Sequence, residues 1–210
     1  MKSRIFGIIN KFVKMWQDVE GFVMDVQKIG ELLVNLVRVA IFDELYNKHT
    51  LNKEEFLEKF PNFNKNAATF VTLTINGNLR GCIGSLVPHT TLYNDLTTNA
   101  KKAAFEDPRF NPLSQEEFNN IKVEISLISP ITEVKYKDFK DLKSKIKPNI
   151  HGVILKLGSF QSTFLPQVWE EIPDFDMFMY HLYKKAGLEM IEQNQAPQIF
   201  TYTVEKIQEQ

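Results

Sequence analysis

The sequence predicts an α+β fold with mostly antiparallel strands, and three observations carry that expectation. Over residues 29–47 the apolar side chains Ile29, Leu32, Leu33, Leu36, Val37, Ala40, Ile41 and Leu45 recur at helical spacing. In 69-TFVTLTI-75 the period changes to two, with Val71, Leu73 and Ile75 alternating with threonines, as in a strand that buries one face. Asn76-Gly77 follows directly, the pair that best tolerates positive φ in a two-residue hairpin turn. Downstream, helical and strand patterns mix without regular βαβ alternation, which favours hairpins over a parallel sheet.

Each element has its own local signal. After the first helix, Asn52 with Glu55 three residues on marks the start of a short helix, and Pro61 limits its continuation. The turn at Asn76-Gly77 makes 78-NLRGCI-83 the returning strand, and Gly81 and Gly84 within it suggest a bulge or a close backbone approach. Residues 91–106 read as a helix with Leu92, Leu96, Ala100, Ala103 and Ala104 on its apolar side. Pro108 and Pro112 make 107-DPRFNPL-113 irregular, and Ser114 with Glu117 has capping-box spacing. A strand follows at 121-IKVEISLI-128, then a helix over 138–146 and strands at 152-GVILKL-157 and 160-FQSTFL-165 joined through Gly158-Ser159. A short helical turn spans 166–172, Asp174 caps a helix that Gly187 ends, and the last strand is 198-QIFTYTV-204. No linker, low-complexity segment or repeat interrupts the pattern.

Composition narrows the function classes. With 25 Lys+Arg against 26 Asp+Glu the net charge is −1, so the chain lacks the basic balance of a dedicated nucleic-acid binder. A single cysteine rules out an intramolecular disulfide framework and fits a reducing compartment, here taken as the cytoplasm. Residues 1–28 carry an amphipathic stripe, Ile5, Ile9, Phe12, Trp16, Val19, Val23 and Val26, in alternating steps of four and three. Lys2 and Arg4 superficially resemble a secretory signal, but Asn10, Lys11, Lys14, Gln17 and Asp18 interrupt the apolar run. A helical extension that docks on its own domain, or on a second copy as a homo-oligomer, is preferred to a membrane-surface helix, because Asp18, Glu20 and Asp25 oppose anionic lipid.

Chemistry concentrates at 78-NLRGCIGSL-86, which holds the lone Cys82. A nucleophilic thiolate needs a nearby cation, histidine or helix N-terminus. Arg80 stands two residues away, and Gly81 and Gly84 can present N–H groups to an anion. The competing reading is a small buried apolar residue, the usual fate of a free cysteine. His89, His151 and His181 are the available bases, and nothing in the sequence puts one beside Cys82. Metal ligation is disfavoured, since one cysteine and four scattered histidines match no zinc spacing. Arg109 is either a clamp for a substrate anion or a partner for loop carbonyls and Asp107, and Asp107 itself suits the start of a turn.

Several segments together resemble the AMMECR-type domain family, whose bacterial members are called AmmeMemoRadiSam system protein A. They are 70-FVTLTINGNLRGCIGSL-86, 103-AAFEDPRFNPLSQEEF-118 with 123-VEISLIS-129, and 151-HGVILKLGSFQSTFLPQVWEE-171 with 185-KAGL-188. The likeness divides the chain into an extension over 1–28 and an AMMECR-type domain over 29–210. The family more often shows a glycine before its HG segment, where 148-PNIHG-152 has Asn149. The resemblance implies a single domain of two related strand-and-helix halves forming one barrel-like sheet with flanking helices. It also implies a cleft beside the LRGCIG motif, bringing Arg80, Gly81, Gly84, Asp107, Arg109 and Thr163 together as substrate-binding residues around Cys82. By gene name it implies association with a Memo-type protein and a radical SAM enzyme. It supplies no settled activity, and no cofactor is expected. Two readings stay open: an enzyme or enzyme subunit binding a small or anionic substrate, with Cys82 thiol chemistry, or a non-catalytic interaction module in which LRGCIG is a structural corner.

Overall fold

The computed structural model describes residues 26–188 and 196–209. The extension expected over residues 1–28 lies outside them, apart from its last three positions. The class is α+β, and every strand pair whose register is defined is antiparallel. The chain forms two compact units, one of residues up to Leu127 together with Lys206 onward, the other Ile128–Glu205.

In the first unit, α1 (Val26–Tyr46) is followed by α2 (Lys53–Lys59), a 3-10 turn (Pro61–Asn64), β1 (Asn66–Ile75) and β2 (Asn78–Gly84). Then come β3 (Thr90–Thr91), α3 (Leu92–Phe105), α4 (Gln115–Phe118), β4 (Ile121–Ile128) and, from the chain's end, β9 (Val204–Gln208). The strand order is β2-β1-β4-β9, with the two-residue β3 pairing β1. The expected caps are in place: Asn52 Oδ1 accepts from Glu55 N, and Ser114 and Glu117 form a reciprocal capping box. Leu32, Leu36 and Ala40 of α1, Leu96, Ala100 and Ala103 of α3, and Val71, Leu73, Val123 and Ile125 of the sheet share one core. The apolar stripes of two helices thus cover the apolar face of the strands, as the sequence periods require.

In the second unit, β5 (Thr132–Val134), α5 (Phe139–Lys145), β6 (Gly152–Leu157) and β7 (Phe160–Phe164) precede α6 (Val168–Glu171), α7 (Phe175–Lys185) and β8 (Gln198–Tyr202). The sheet order is β5-β8-β6-β7. Its core gathers Leu142, Val153, Leu155, Phe178, Leu182 and Ile199 around Trp169. The Trp169 indole stacks on the Phe178 ring at 3.5 Å between centroids and donates Nε1–H to His151 O at 2.8 Å, so its one polar group is satisfied in the core. Asn149 holds φ at 63°, a left-handed conformation asparagine tolerates better than most side chains.

The described strands are ordered in two sheets, and one detail differs from expectation: the final strand expected over 198–204 is divided at Thr203 into β8 and β9. The ladder loses its regularity there because Thr203 N–H donates to the Ser129 hydroxyl at 2.9 Å instead of to a main-chain carbonyl. Pro130, which follows Ser129, has no N–H with which to extend the pairing.

Candidate functional site

The β1–β2 hairpin turns on Asn76 and Gly77, whose φ values of 52° and 80° are those a two-residue turn of matching twist demands. From the open end the register runs Phe70↔Gly84, Val71↔Ile83, Thr72↔Cys82 and Leu73↔Gly81, then skips to Thr74↔Leu79. Arg80 is the extra residue of a bulge, the irregularity that the flanking glycine suggests in the sequence. Gly81 is required by packing: a methyl group there would run into the carbonyl oxygen of Ala103 in α3. One on Gly84 would meet the Phe70 ring and Thr69 O. Both glycines therefore let backbone lie close to backbone or ring.

β2 is an outer strand, so its unpaired main-chain groups need other partners. The 107-DPRF-110 loop supplies them at Cys82. Cys82 N–H donates to Asp107 Oδ2 at 2.8 Å, and Arg109 Nη2 donates to Cys82 O at 3.3 Å. Asp107 also accepts from Arg109 N at 3.1 Å, Nε at 2.9 Å and Nη2 at 2.7 Å. The Asp107 side chain is only 2% exposed, against 53% for Arg109. Hydrogen bonds from the Arg109 guanidinium, with lesser help from the Cys82 and Arg109 amides, hold the Asp107 carboxyl well below the usual carboxylate range although burial opposes this. The pair meets one N–H and one C=O of the edge, as a further strand would.

Arg80 is anchored separately. Its Nε donates to Glu117 Oε1 at 2.7 Å and its Nη2 to Glu117 Oε2 at 3.0 Å and to Asn111 O at 2.8 Å. These bonds, then that from Ser114 N, bring Glu117 down from 4.5 to about 2. Arg80 Nη1 is buried without a hydrogen-bond partner among the described residues. The Phe110 ring is a neighbour of both arginines, its centroid 5.7 Å from the Arg80 guanidinium carbon and 5.5 Å from that of Arg109.

Cys82 itself is partly buried, and the Thr72 hydroxyl donates to its Sγ at 3.3 Å. Among the described residues its hydrogen-bonding partners are Thr72, Asp107 and Arg109, with no histidine among them. His89 is exposed in the loop after β2, while His151 and His181 belong to the second unit. Thr163 also belongs to the second unit, where its Oγ1 lies 3.2 Å from the Tyr202 hydroxyl and its carbonyl accepts from Lys185 Nζ at 3.0 Å. Burial pushes the Tyr202 hydroxyl up to about 12. Among the described residues no group of three His, Cys, Asp or Glu side chains could hold a metal ion. Nor is any helix among them long and apolar enough to cross a membrane.

Three features escape the sequence patterns. Buried Asp95 of α3 accepts from Thr69 N at 2.8 Å, Thr69 Oγ1 at 2.7 Å, Asn99 Nδ2 at 2.9 Å and Ser85 Oγ at 3.0 Å, tying the helix to both strands of the hairpin region. Buried Arg38 of α1 pairs with Glu209 through Nε and Nη2, both at 2.8 Å, and donates to the carbonyls of Phe118 and Ile121. A cavity of about 260 Å³ lies between the end of α1 and α3, and none of Arg80, Cys82 and Arg109 lines it.

Comparison with known proteins agrees with this architecture. The AMMECR1 family model matches residues 34–207. Protein NEQ441 of Nanoarchaeum equitans is 36% identical over 160 residues, covering 75% of this chain and 87% of that protein. A protein of Methanothermobacter thermautotrophicus is likewise 36% identical over 160 residues, covering 76% and 82%. Among solved structures, the uncharacterized protein PH0010 of Pyrococcus horikoshii superposes with a TM-score of 0.69 at 30% identity, covering 84% of this chain and 89% of that one. With the family model spanning most of its length, the chain belongs to the AMMECR1 family.

Proposed function

We propose that this protein binds a small anionic group, a carboxylate or phosphate, beside the LRGCIG strand, between the Arg80 and Arg109 guanidinium groups. The observation that carries this is Arg80 Nη1, a buried donor with no partner among the described residues, in a guanidinium whose other nitrogens are fixed by Glu117 and Asn111. A buried unmet donor costs about 1–3 kcal/mol, which an anionic acceptor recovers. Arg109, more than half exposed, supplies the second cation. Cys82 is given no nucleophilic step, because none of the three residues bonded to it is placed to take its proton. Action with a Memo-type protein and a radical SAM enzyme, and self-association through residues 1–28, belong to the same proposal.

Calorimetric titration with inorganic phosphate and with acetate tests it. Saturable binding is expected, weakened about tenfold by Arg109→Gln, the loss of one charge-assisted contact. No saturable binding, or equal binding by the variant, would leave Arg80 and Arg109 as internal braces. That second reading, LRGCIG as a structural corner of an interaction module, is favoured by Asp107, which spends its whole carboxylate on Cys82 and Arg109. Alkylation of Cys82 followed against pH separates the thiol question: a rate above that of a free thiol near neutral pH would restore the nucleophile.

A further inference from the structure

The cavity at the end of α1 has a charge problem of its own. Asp43 lies in the last turn of that helix, is 9% exposed, and lines the cavity. Its Oδ2 accepts from Thr50 N at 2.9 Å and Leu51 N at 3.1 Å, which pins the carboxylate. Its Oδ1 is buried and has no hydrogen-bond partner among the described residues. A helix C-terminus is the negative end of the dipole, so a carboxylate there is already disfavoured. Glu44 beside it is spent on Lys101, Nζ to Oε2 at 3.0 Å, so that lysine is not available to Asp43. The remaining basic side chains at the cavity, Lys48 and His49, are exposed and make no bond to Asp43 Oδ1. Tyr93, on the α3 side, has its hydroxyl pushed up by burial first and then by the negative charges of Asp43 and Glu54.

We infer that this cavity is a binding site for a small organic ammonium ion, with Asp43 Oδ1 as its principal acceptor. An ammonium group carries three donors. One meets Asp43 Oδ1. Thr97 lines the same cavity, and its hydroxyl, while donating to Tyr93 O at 2.8 Å, keeps its lone pairs for a second. The Tyr93 side chain and the apolar Ala40 and Leu51 suit a short alkyl tail. At about 30 Å³ per liquid water, about 260 Å³ is room for a ligand of several heavy atoms. A bare metal ion fits less well, since no set of three ligating side chains is present among the described residues.

The test is titration of the full chain with n-butylammonium chloride, followed by calorimetry and by the amide resonances of Thr50 and Leu51. Sodium chloride and n-butanol are the controls for ionic strength and for the tail. Saturable binding of butylammonium is expected, with both amides shifting and n-butanol producing neither effect. Asp43→Asn keeps a carbonyl for Thr50 and Leu51 and places an NH₂ donor where Oδ1 stood. It should fold at least as stably as the native chain and bind butylammonium about ten- to a hundredfold more weakly. If that variant fails to fold, Thr97→Val, which leaves the Asp43 main-chain bonds alone, should still weaken binding several-fold. Absence of saturable binding, equal binding by both variants, or equal binding of n-butanol would overturn the inference, the first meaning that solvent alone satisfies Asp43.

Discussion

Replacing Asp107 by alanine should loosen one strand edge in a way that can be worked out bond by bond. The Cys82 N–H loses its 2.8 Å acceptor, and an N–H so orphaned costs about 1–3 kcal/mol. The Arg109 guanidinium loses a two-pronged partner but is itself 53% exposed, so water takes over and that loss is about 1 kcal/mol or less. Relief of the buried charge's desolvation works in the opposite direction. The balance is about 2–3 kcal/mol of local stability. Amide exchange of Cys82, read by NMR, should therefore quicken roughly thirty- to a hundred-and-sixtyfold, with a lower urea midpoint for the first unit. Asp107→Asn retains one acceptor and should show a smaller change. If exchange at Cys82 stays within about threefold of the native rate and the midpoint does not move, the coupling of the DPRF loop to the LRGCIG strand does not stabilise the edge.

Other perturbations follow from the same contacts. Gly81→Ala forces a methyl into the Ala103 carbonyl, and with backbone on both sides it should cost about 3 kcal/mol in urea unfolding, far more than Gly77→Ala would through packing. Glu209→Ala leaves the buried Arg38 guanidinium with only the Phe118 and Ile121 carbonyls and should destabilise by about 3 kcal/mol, less in Glu209→Gln. Glu117 titrates lower folded than unfolded, so its stabilisation is complete above its ordinary value of 4.5 and is lost as pH falls through that value towards about 2. Acid unfolding of Glu117→Gln, compared with the native chain, should show a shallower loss of stability in that window. A parallel pair of curves would rule out Glu117 as a source of the acid sensitivity.

Much of the fold could be read from local pattern, because local pattern is its cause. The hairpin turned where Asn76-Gly77 allowed positive φ, and the helices began at Asn52, Ser114 and Asp174, where side chains cap the first turn. The strand over 121–128 held its alternation at Ile121, Val123 and Ile125, although Ser126 is buried and Leu127 only partly so. What escaped was long-range. Arg38 and Glu209 lie 171 positions apart, and Asp95 and Thr69 lie 26 apart, with nothing in either neighbourhood to signal the partner. Division of the last strand depended on a serine hydroxyl supplied from 74 residues upstream. At the candidate site, Arg80, Cys82, Asp107 and Arg109 could be proposed from residue type, but the sequence could not show that each arginine already has its own carboxylate. The cavity at Asp43 left no trace in the pattern, since its floor is the end of one helix and the side of another.

The lateness of the DPRF loop has a consequence for how the chain folds. Cys82 and Asp107 are 25 residues apart, with α3 between them in the chain, so their contact closes a longer loop than the hairpin does. The β1–β2 hairpin closes over a two-residue turn and forms early, with microsecond-scale kinetics, whereas the covering contact waits for non-local assembly. During that interval β2 exposes an open flank that a second unfinished chain can pair with. The Asp107–Arg109 pair covers that flank in the folded chain, and weakening it should cost yield of soluble protein out of proportion to the equilibrium stability lost.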